Sequence, residues 1–223
     1  YFTVVVQERM LHKDPNPEVV VDVTAFQWNW RFAYREVTLD GNKIKLEREN
    51  PYGKQPDIAK LNEEAAKMKE HGHIEVQPER GPNHGRFQEI RDYLKFSTVE
   101  VQGSSAEIPV LVLPTDTRIE FRLASADVIH SFWVPEFLFK RDVYAHPENN
   151  QQQRRFQIEK IEQTGAFVGR CAEMCGTYHA MMNFEIRAVS REAFAEYMQF
   201  RLDNPEATTR LVSFARRERP DLH

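Results

Sequence analysis

The chain has 223 residues, a formal net charge of −4 and 41% hydrophobic residues, enough for one large domain, or one domain with a substantial insertion, around a real core. That charge gives no case for nucleic-acid binding, and no run approaches the ~20 apolar residues of a membrane helix. The two cysteines, Cys171 and Cys175, cannot build a disulfide framework, which favours thiol chemistry over stapling.

The opening stretch, YFTVVVQERMLHKD, passes abruptly from an apolar run into charge. It fits the outer end of a membrane helix or a first strand equally well. Residues 19–34, VVVDVTAFQWNWRFAY, alternate apolar and polar positions through Val21, Val23, Ala25, Trp28, Trp30 and Phe32. This period of two predicts one strand, or two strands with a kink. Residues 41–90 turn charged and polar and read as an insertion. Within it Ile58, Leu61, Ala65 and Met68 fall on one helical stripe, with Asp57 as a candidate N-cap and Gly72 as a stop.

Strand patterns resume at residues 96–101, 108–114, 117–125, 155–161, 165–170 and 183–189. In the third of these Ile119, Phe121 and Leu123 face one way. After Ser190 the period becomes helical, with Phe194, Tyr197 and Met198 on one side until Asn204 and Pro205. An arginine-rich tail follows. Many short strands separated by turns, with little helix between them, predict an all-β Greek-key sandwich or barrel carrying a helical insertion and a C-terminal helix. The expected divisions are an N-terminal segment 1–18, a β domain 19–200 containing the insertion 41–90, and a tail 201–223.

The chemistry concentrates in GRCAEMCGTYHAMMNFEIRAV, residues 169–189. Cys171, Cys175, His179 and Met182 offer two thiolates, an imidazole and a thioether within twelve residues. A CxxxC alone fits a disulfide, a redox pair or half a metal site. Met182 alone fits a core side chain. The four donors together favour a metal, and the soft sulfur with imidazole favours copper over zinc, because zinc rarely takes methionine. Such a site wants another imidazole from elsewhere. His12, His71, His73, His84 and His223 lie in polar or terminal segments, where exposed histidines are usually just that, and His146 sits in a Pro-flanked loop. His130, in SADVIHSFWVPEF just past the 119–123 strand, has apolar neighbours and a place at the end of a sandwich; the plain alternative is a hydrogen-bonded core histidine.

The pattern C-x-E-x-C-x-x-x-H-x-x-M, with D-V-x-H-S upstream at 127–131 and QWNW at 27–30, resembles subunit II of haem-copper cytochrome c oxidases. The resemblance covers roughly residues 19–40 and 96–200, and it implies a cupredoxin fold holding the binuclear copper centre CuA. Cys171 and Cys175 would bridge two copper ions. His130 and Met182 would complete one copper, and His179 with the backbone carbonyl of Glu173 the other. The Glu173 side chain would reach a magnesium ion at the interface with the catalytic subunit I. Trp28 matches the electron-entry tryptophan, and Phe132, Trp133 and Tyr178 are candidates for a dry shell. The resemblance further implies a cytochrome c as electron donor, no bond chemistry in this chain, and a place on the outer face of the cell membrane. Anchoring would come from N-terminal helices not in this chain, with Tyr1 near the membrane surface. The charged insertion is similar to the extended subunit II of actinobacterial oxidases, whose donor is a membrane-bound dihaem cytochrome; a solvated elaboration is the alternative. The competing families are nitrous oxide reductase, whose copper domain has tryptophan where Glu173 stands, and thioredoxin-like copper-delivery proteins with a CxxxC.

Overall fold

The computed structural model describes residues 3–5, 8, 12–48, 96–104, 107–145 and 154–205. The expected helix at 57–72, the histidines at 71, 73, 84, 146 and 223, and the tail beyond residue 205 lie outside the described residues.

Thirteen strands are described. They are β1 (Val19–Phe26), β2 (Asn29–Leu39), β3 (Asn42–Lys45), β4 (Glu47–Arg48), β5 (Phe96–Ser97), β6 (Glu100–Gln102) and β7 (Val110–Pro114), then β8 (Ile119–Ser125), β9 (His130–Val134), β10 (Phe139–Val143), β11 (Arg155–Ile158), β12 (Gly165–Cys171) and β13 (Asn183–Val189). One sheet runs β11-β8-β1-β2-β3, with β6 also on β2, and the other runs β10-β9-β12-β13-β7. The parallel pairs β1·β8 and β13·β7 need crossovers between the sheets, so the fold is the expected cupredoxin-like all-β sandwich.

Period-two alternation builds the core. Val21, Val23 and Ala25 of β1, Trp30, Phe32 and Tyr34 of β2, and Ile119, Phe121 and Leu123 of β8 are all buried. They meet Phe132 of β9 and Phe184 and Ile186 of β13 from the other sheet. Phe132 and Phe184 stack at 4.8 Å between ring centroids, and Trp30 meets both edge-on at 6.0 and 5.1 Å. An aromatic cluster of this kind contributes roughly 0.5–1.5 kcal/mol per pair beyond area burial.

Three details differ from the sequence-based expectation. The 19–34 segment is a hairpin, β1 and β2, whose two-residue turn Gln27–Trp28 contains a cis peptide bond and places Trp28 at one end of the sandwich. Residues 41–48 are not yet insertion. Asp40 and Gly41, at φ 51° and 78°, close the β2–β3 hairpin with the two positive-φ residues a type I′ turn needs. The stretch around His130 is itself a hairpin, β9 and β10, turning through Pro135–Phe137 and Leu138.

After β13 the chain enters α1 (Arg191–Asp203), capped by the Ser190 hydroxyl accepting from the Ala193 N–H at 3.2 Å. Phe194, Tyr197 and Met198 are buried, as their spacing predicts. Tyr34 donates to the Val112 carbonyl at 2.6 Å, and buried Arg201 donates to the Tyr197 hydroxyl at 3.1 Å and the Glu100 carbonyl at 2.7 Å. The Arg201 bond thus ties the helix to β6, while the Tyr34 bond ties β2 to β7 beneath it.

Candidate metal centre

The site is built where β12 ends and β13 begins. Cys171 is the last residue of β12, held opposite Phe132 of β9. The loop 172–182 returns to a point where the Cys171 N–H donates to the Met182 carbonyl at 3.1 Å. This closure sets Cys171 and Met182 side by side at the base of the loop. A short 3-10 turn, His179–Met181, shapes the return: Met181 N–H donates to Tyr178 O at 2.9 Å and Met182 N–H to His179 O at 3.2 Å. Met182 is therefore turned inward, 1% exposed, while Met181 is 70% exposed.

The two thiols are free, with their sulfurs 3.8 Å apart, far beyond the ~2.05 Å of a disulfide. Around this pair the donor atoms named by the sequence converge. His130 Nδ1 lies 3.8 Å from Cys171 Sγ, and the Glu173 carbonyl oxygen 3.2 Å from the same sulfur. His179 Nδ1 lies 3.4 Å and Met182 Sδ 3.8 Å from Cys175 Sγ. The donors of His130, Cys171 and Cys175 all fall within 4.8 Å of one another and could hold a metal ion. Two sulfurs, two imidazole nitrogens, a thioether and a carbonyl form a soft set suited to copper. His12 is exposed and distant in sequence from these segments.

Electrostatics prepares the sulfurs. Burial pushes the Cys171 thiol up, but the His130 ring and backbone groups of Glu173 and Ser131 more than offset this and bring it below the ordinary thiol value. Cys175 moves the other way, raised by burial and then by the charge on Cys171. Two sulfurs this close hold one negative charge readily and a second only beside a cation. Burial lowers the His130 ring, yet Asp127 and Cys171 together raise it above the ordinary imidazole value.

The aromatic hairpin packs on the same loop. Trp28 Nε1 and Gln27 Nε2 both donate to the Cys175 carbonyl, at 3.1 and 2.8 Å. Gly176 follows at φ 118°, and a Cβ there would press on Gln27 and Trp28 at 3.2 Å, so glycine is required for both conformation and closeness. Buried Trp30 directs its Nε1 at the Met182 carbonyl, 3.4 Å away. Among the expected dry-shell residues Phe132 is buried and Trp133 half-buried, but Tyr178 is 57% exposed, its ring edge-on to Trp28 at 4.9 Å. A ring that open to solvent is a poor barrier to water. Trp30 and Phe184, by contrast, are fully buried in the same cluster as the two cysteines and Met182. Trp30, Gln27 and Asp127 stand inside the quoted motifs, yet the sequence alone gives them no role of their own.

Residues 95–189 match the family model described as cytochrome c oxidase subunit II, periplasmic domain. The cytochrome c oxidase subunit 2 of Corynebacterium glutamicum is 55% identical over 93% of this chain and 55% of its own length. The chain belongs to the cytochrome c oxidase subunit II family. That of Mycobacterium tuberculosis is 54% identical over 91% of this chain and 54% of its own. The chain thus spans about half the length of these actinobacterial relatives. Among solved structures, the periplasmic domain of subunit II of cytochrome oxidase from Bradyrhizobium japonicum aligns at 23% identity and TM-score 0.46, over 83% of this chain and 94% of that one. The family model describes a periplasmic domain, which puts the matched subunit II residues outside the cytoplasm. No helix among the described residues is long and apolar enough to cross a membrane.

Proposed function

We propose that this chain is the electron-transfer portion of a cytochrome c oxidase subunit II, holding a binuclear copper centre. The observation that supports it most is the convergence of four further donor atoms on two free, adjacent cysteine sulfurs. In this reading Cys171, Cys175, His130, Met182, His179 and the Glu173 carbonyl would hold the two ions, with the two thiolates shared between them, and the ions would supply one-electron transfer. Two copper ions bound there would share a single electron over the sulfur bridge. The chain's own part is to hold the ligands in a rigid β framework and to keep the sulfurs dry with Trp30, Phe132 and Phe184, so that geometry changes little on electron transfer.

Trp28, half-buried at the hairpin turn and bonded to the Cys175 carbonyl, offers the entry point for an electron from a cytochrome c. The electron then passes to haem in the catalytic subunit, where oxygen is reduced to water. Glu173 is exposed while its carbonyl faces Cys171, an orientation that leaves its carboxylate for a magnesium ion at the interface with that subunit. The insertion 49–95 would dock the donor, a membrane-bound dihaem cytochrome, and helices preceding residue 1 would anchor the domain to the outer face of the cell membrane. The all-β sandwich argues against the thioredoxin-like copper-delivery reading, and the oxidase relatives argue against nitrous oxide reductase.

The test is EPR of the copper-loaded chain. We expect two coppers per chain and one unpaired electron delocalised over both nuclei; a signal from isolated single coppers would sink the reading. Met182→Leu perturbs that spectrum and Met181→Leu does not. Equal effects would show that the ligand set is out of register.

A further inference from the structure

The side chains that bring His130 and Cys175 into place belong to neither ligand loop's own ladder. The Asp127 carboxylate accepts three hydrogen bonds: from the Val128 N–H at 2.7 Å and His130 Nε2 at 2.8 Å through Oδ1, and from the Gln27 N–H at 2.7 Å through Oδ2. Asp127 is itself fixed, because its N–H donates to the Ser125 Oγ at 3.1 Å and that hydroxyl donates to the Val128 carbonyl. From Gln27 the connection continues through its carboxamide, whose Nε2 donates to the Cys175 carbonyl. Three segments remote in sequence are thereby joined: the β8–β9 loop, the β1–β2 turn and the ligand loop.

We propose that Asp127 and Gln27 form a clamp that positions the two ends of the metal centre and sets its reduction potential from opposite sides. The proposal rests on the copper reading above. Asp127 occupies His130 Nε2, so the ring atom facing Cys171 Sγ is Nδ1, and a carboxylate on the far nitrogen makes that Nδ1 a stronger donor. A stronger donor favours the oxidised, more positive state of the centre. Gln27 acts in the other direction. Its side-chain N–H on the Cys175 carbonyl, added to that of Trp28, offsets the negative end of a carbonyl dipole beside the sulfurs. This favours the reduced, electron-rich state. Because Gln27 contributes both its N–H to Asp127 and its side chain to Cys175, the two effects are mechanically joined. Gln27 is exposed, so the clamp has one face at the surface beside Trp28.

The experiment compares the copper-loaded chain with Asp127→Asn and Gln27→Leu, reading the reduction potential by spectroelectrochemistry and copper retention by chelator competition. Thermal melts of the metal-free proteins report folding separately. We expect Asp127→Asn to raise the potential and weaken copper retention about tenfold, with Asp127→Glu recovering part of the shift. Gln27→Leu lowers the potential, with a metal-free melting temperature close to that of the unaltered chain. Opposite signs are the signature, since loosened packing alone would move both variants the same way. Potentials that stay put, or move together, overturn the clamp. Should Asp127→Asn fail to fold, Gln27→Leu carries the test alone, and an unchanged or raised potential overturns it. Absence of a two-copper EPR signal in the unaltered chain instead sinks the copper reading, so the two failures are told apart.

Discussion

At the scale of single residues, the thiol pair dictates how loading depends on acidity. Cys171 lies below the ordinary thiol value and Cys175 above it, so the metal-free pair at neutral pH keeps at least one proton. His130 is raised by Asp127 and Cys171 against the effect of burial. Its proton favours the metal-free fold below the ordinary imidazole value, and that contribution is lost as pH rises through the raised value. A metal at Nδ1 and the two sulfurs must displace these protons. Copper affinity is therefore expected to climb with pH by at least about tenfold per unit, one factor of ten for each proton displaced. Competition with a chelator of known proton affinity from pH 6 to 8, values chosen to bracket neutrality, measures it. A flat profile would show that Cys175 enters already ionised.

At the scale of elements, the tight point is the crossing of β12 and β13 just before the ligand loop. Gly169, paired with Phe184 and buried, has no room for a Cβ, which would land inside the Phe184 ring. That ring also stacks on Phe132 and supports Trp30. Gly169→Ala should cost roughly 1–3 kcal/mol, as overpacking does. It should also loosen copper by shifting Cys171 two residues further on. Denaturant unfolding of the metal-free chain and a copper titration read the two effects; a fully stable variant with normal loading would mean the ring simply swings aside.

The same elements show what was legible beforehand. β1, β2, β8 and β13 alternate over long runs with β-branched and aromatic residues, so their pattern announces them. β9 and β10 were missed because HSFWV and FKRDV are short, and their partner across the turn is set by Pro135 and by Leu138 at φ 54°, a conformation that leucine seldom takes. The Asp40–Gly41 turn was legible as a hairpin signal and was absorbed into the charged insertion instead. The candidate donors Cys171, Cys175, His179 and Met182 were legible as a cluster because their spacing is local; the Glu173 carbonyl entered only through the family resemblance. Gln27 and Asp127 were not, since a carboxamide and a carboxylate acquire roles only when the fold brings three distant segments together.

At the scale of the whole molecule, the insertion has a definite root. β4 and β5 pair antiparallel, Arg48 opposite Phe96, so residues 49–95 leave and rejoin the sandwich side by side. The root is secured to the middle of β2, where Leu46 N–H donates to Arg35 O at 2.9 Å and Ser97 Oγ donates to Tyr34 O at 2.5 Å. β2 begins beside Trp28, so at about 3.3 Å per residue the root lies roughly 20 Å along the strand from that tryptophan. Replacing 49–95 by a two-residue Asn-Gly turn should convert β4 and β5 into a simple hairpin. Because closing a shorter loop costs less chain entropy, the fold should be retained and the two-copper spectrum unchanged. If the insertion docks the proposed donor, electron transfer from a membrane-bound cytochrome should then fall about tenfold or more, the equivalent of losing ~1.4 kcal/mol of docking, while reduction by a small inorganic donor continues at the original rate. Stopped-flow reduction with both donors separates the outcomes. Equal rates for the shortened and intact chains with the cytochrome would make the insertion a solvated elaboration, and slowed reduction by the inorganic donor would mean that the root reaches the copper site after all.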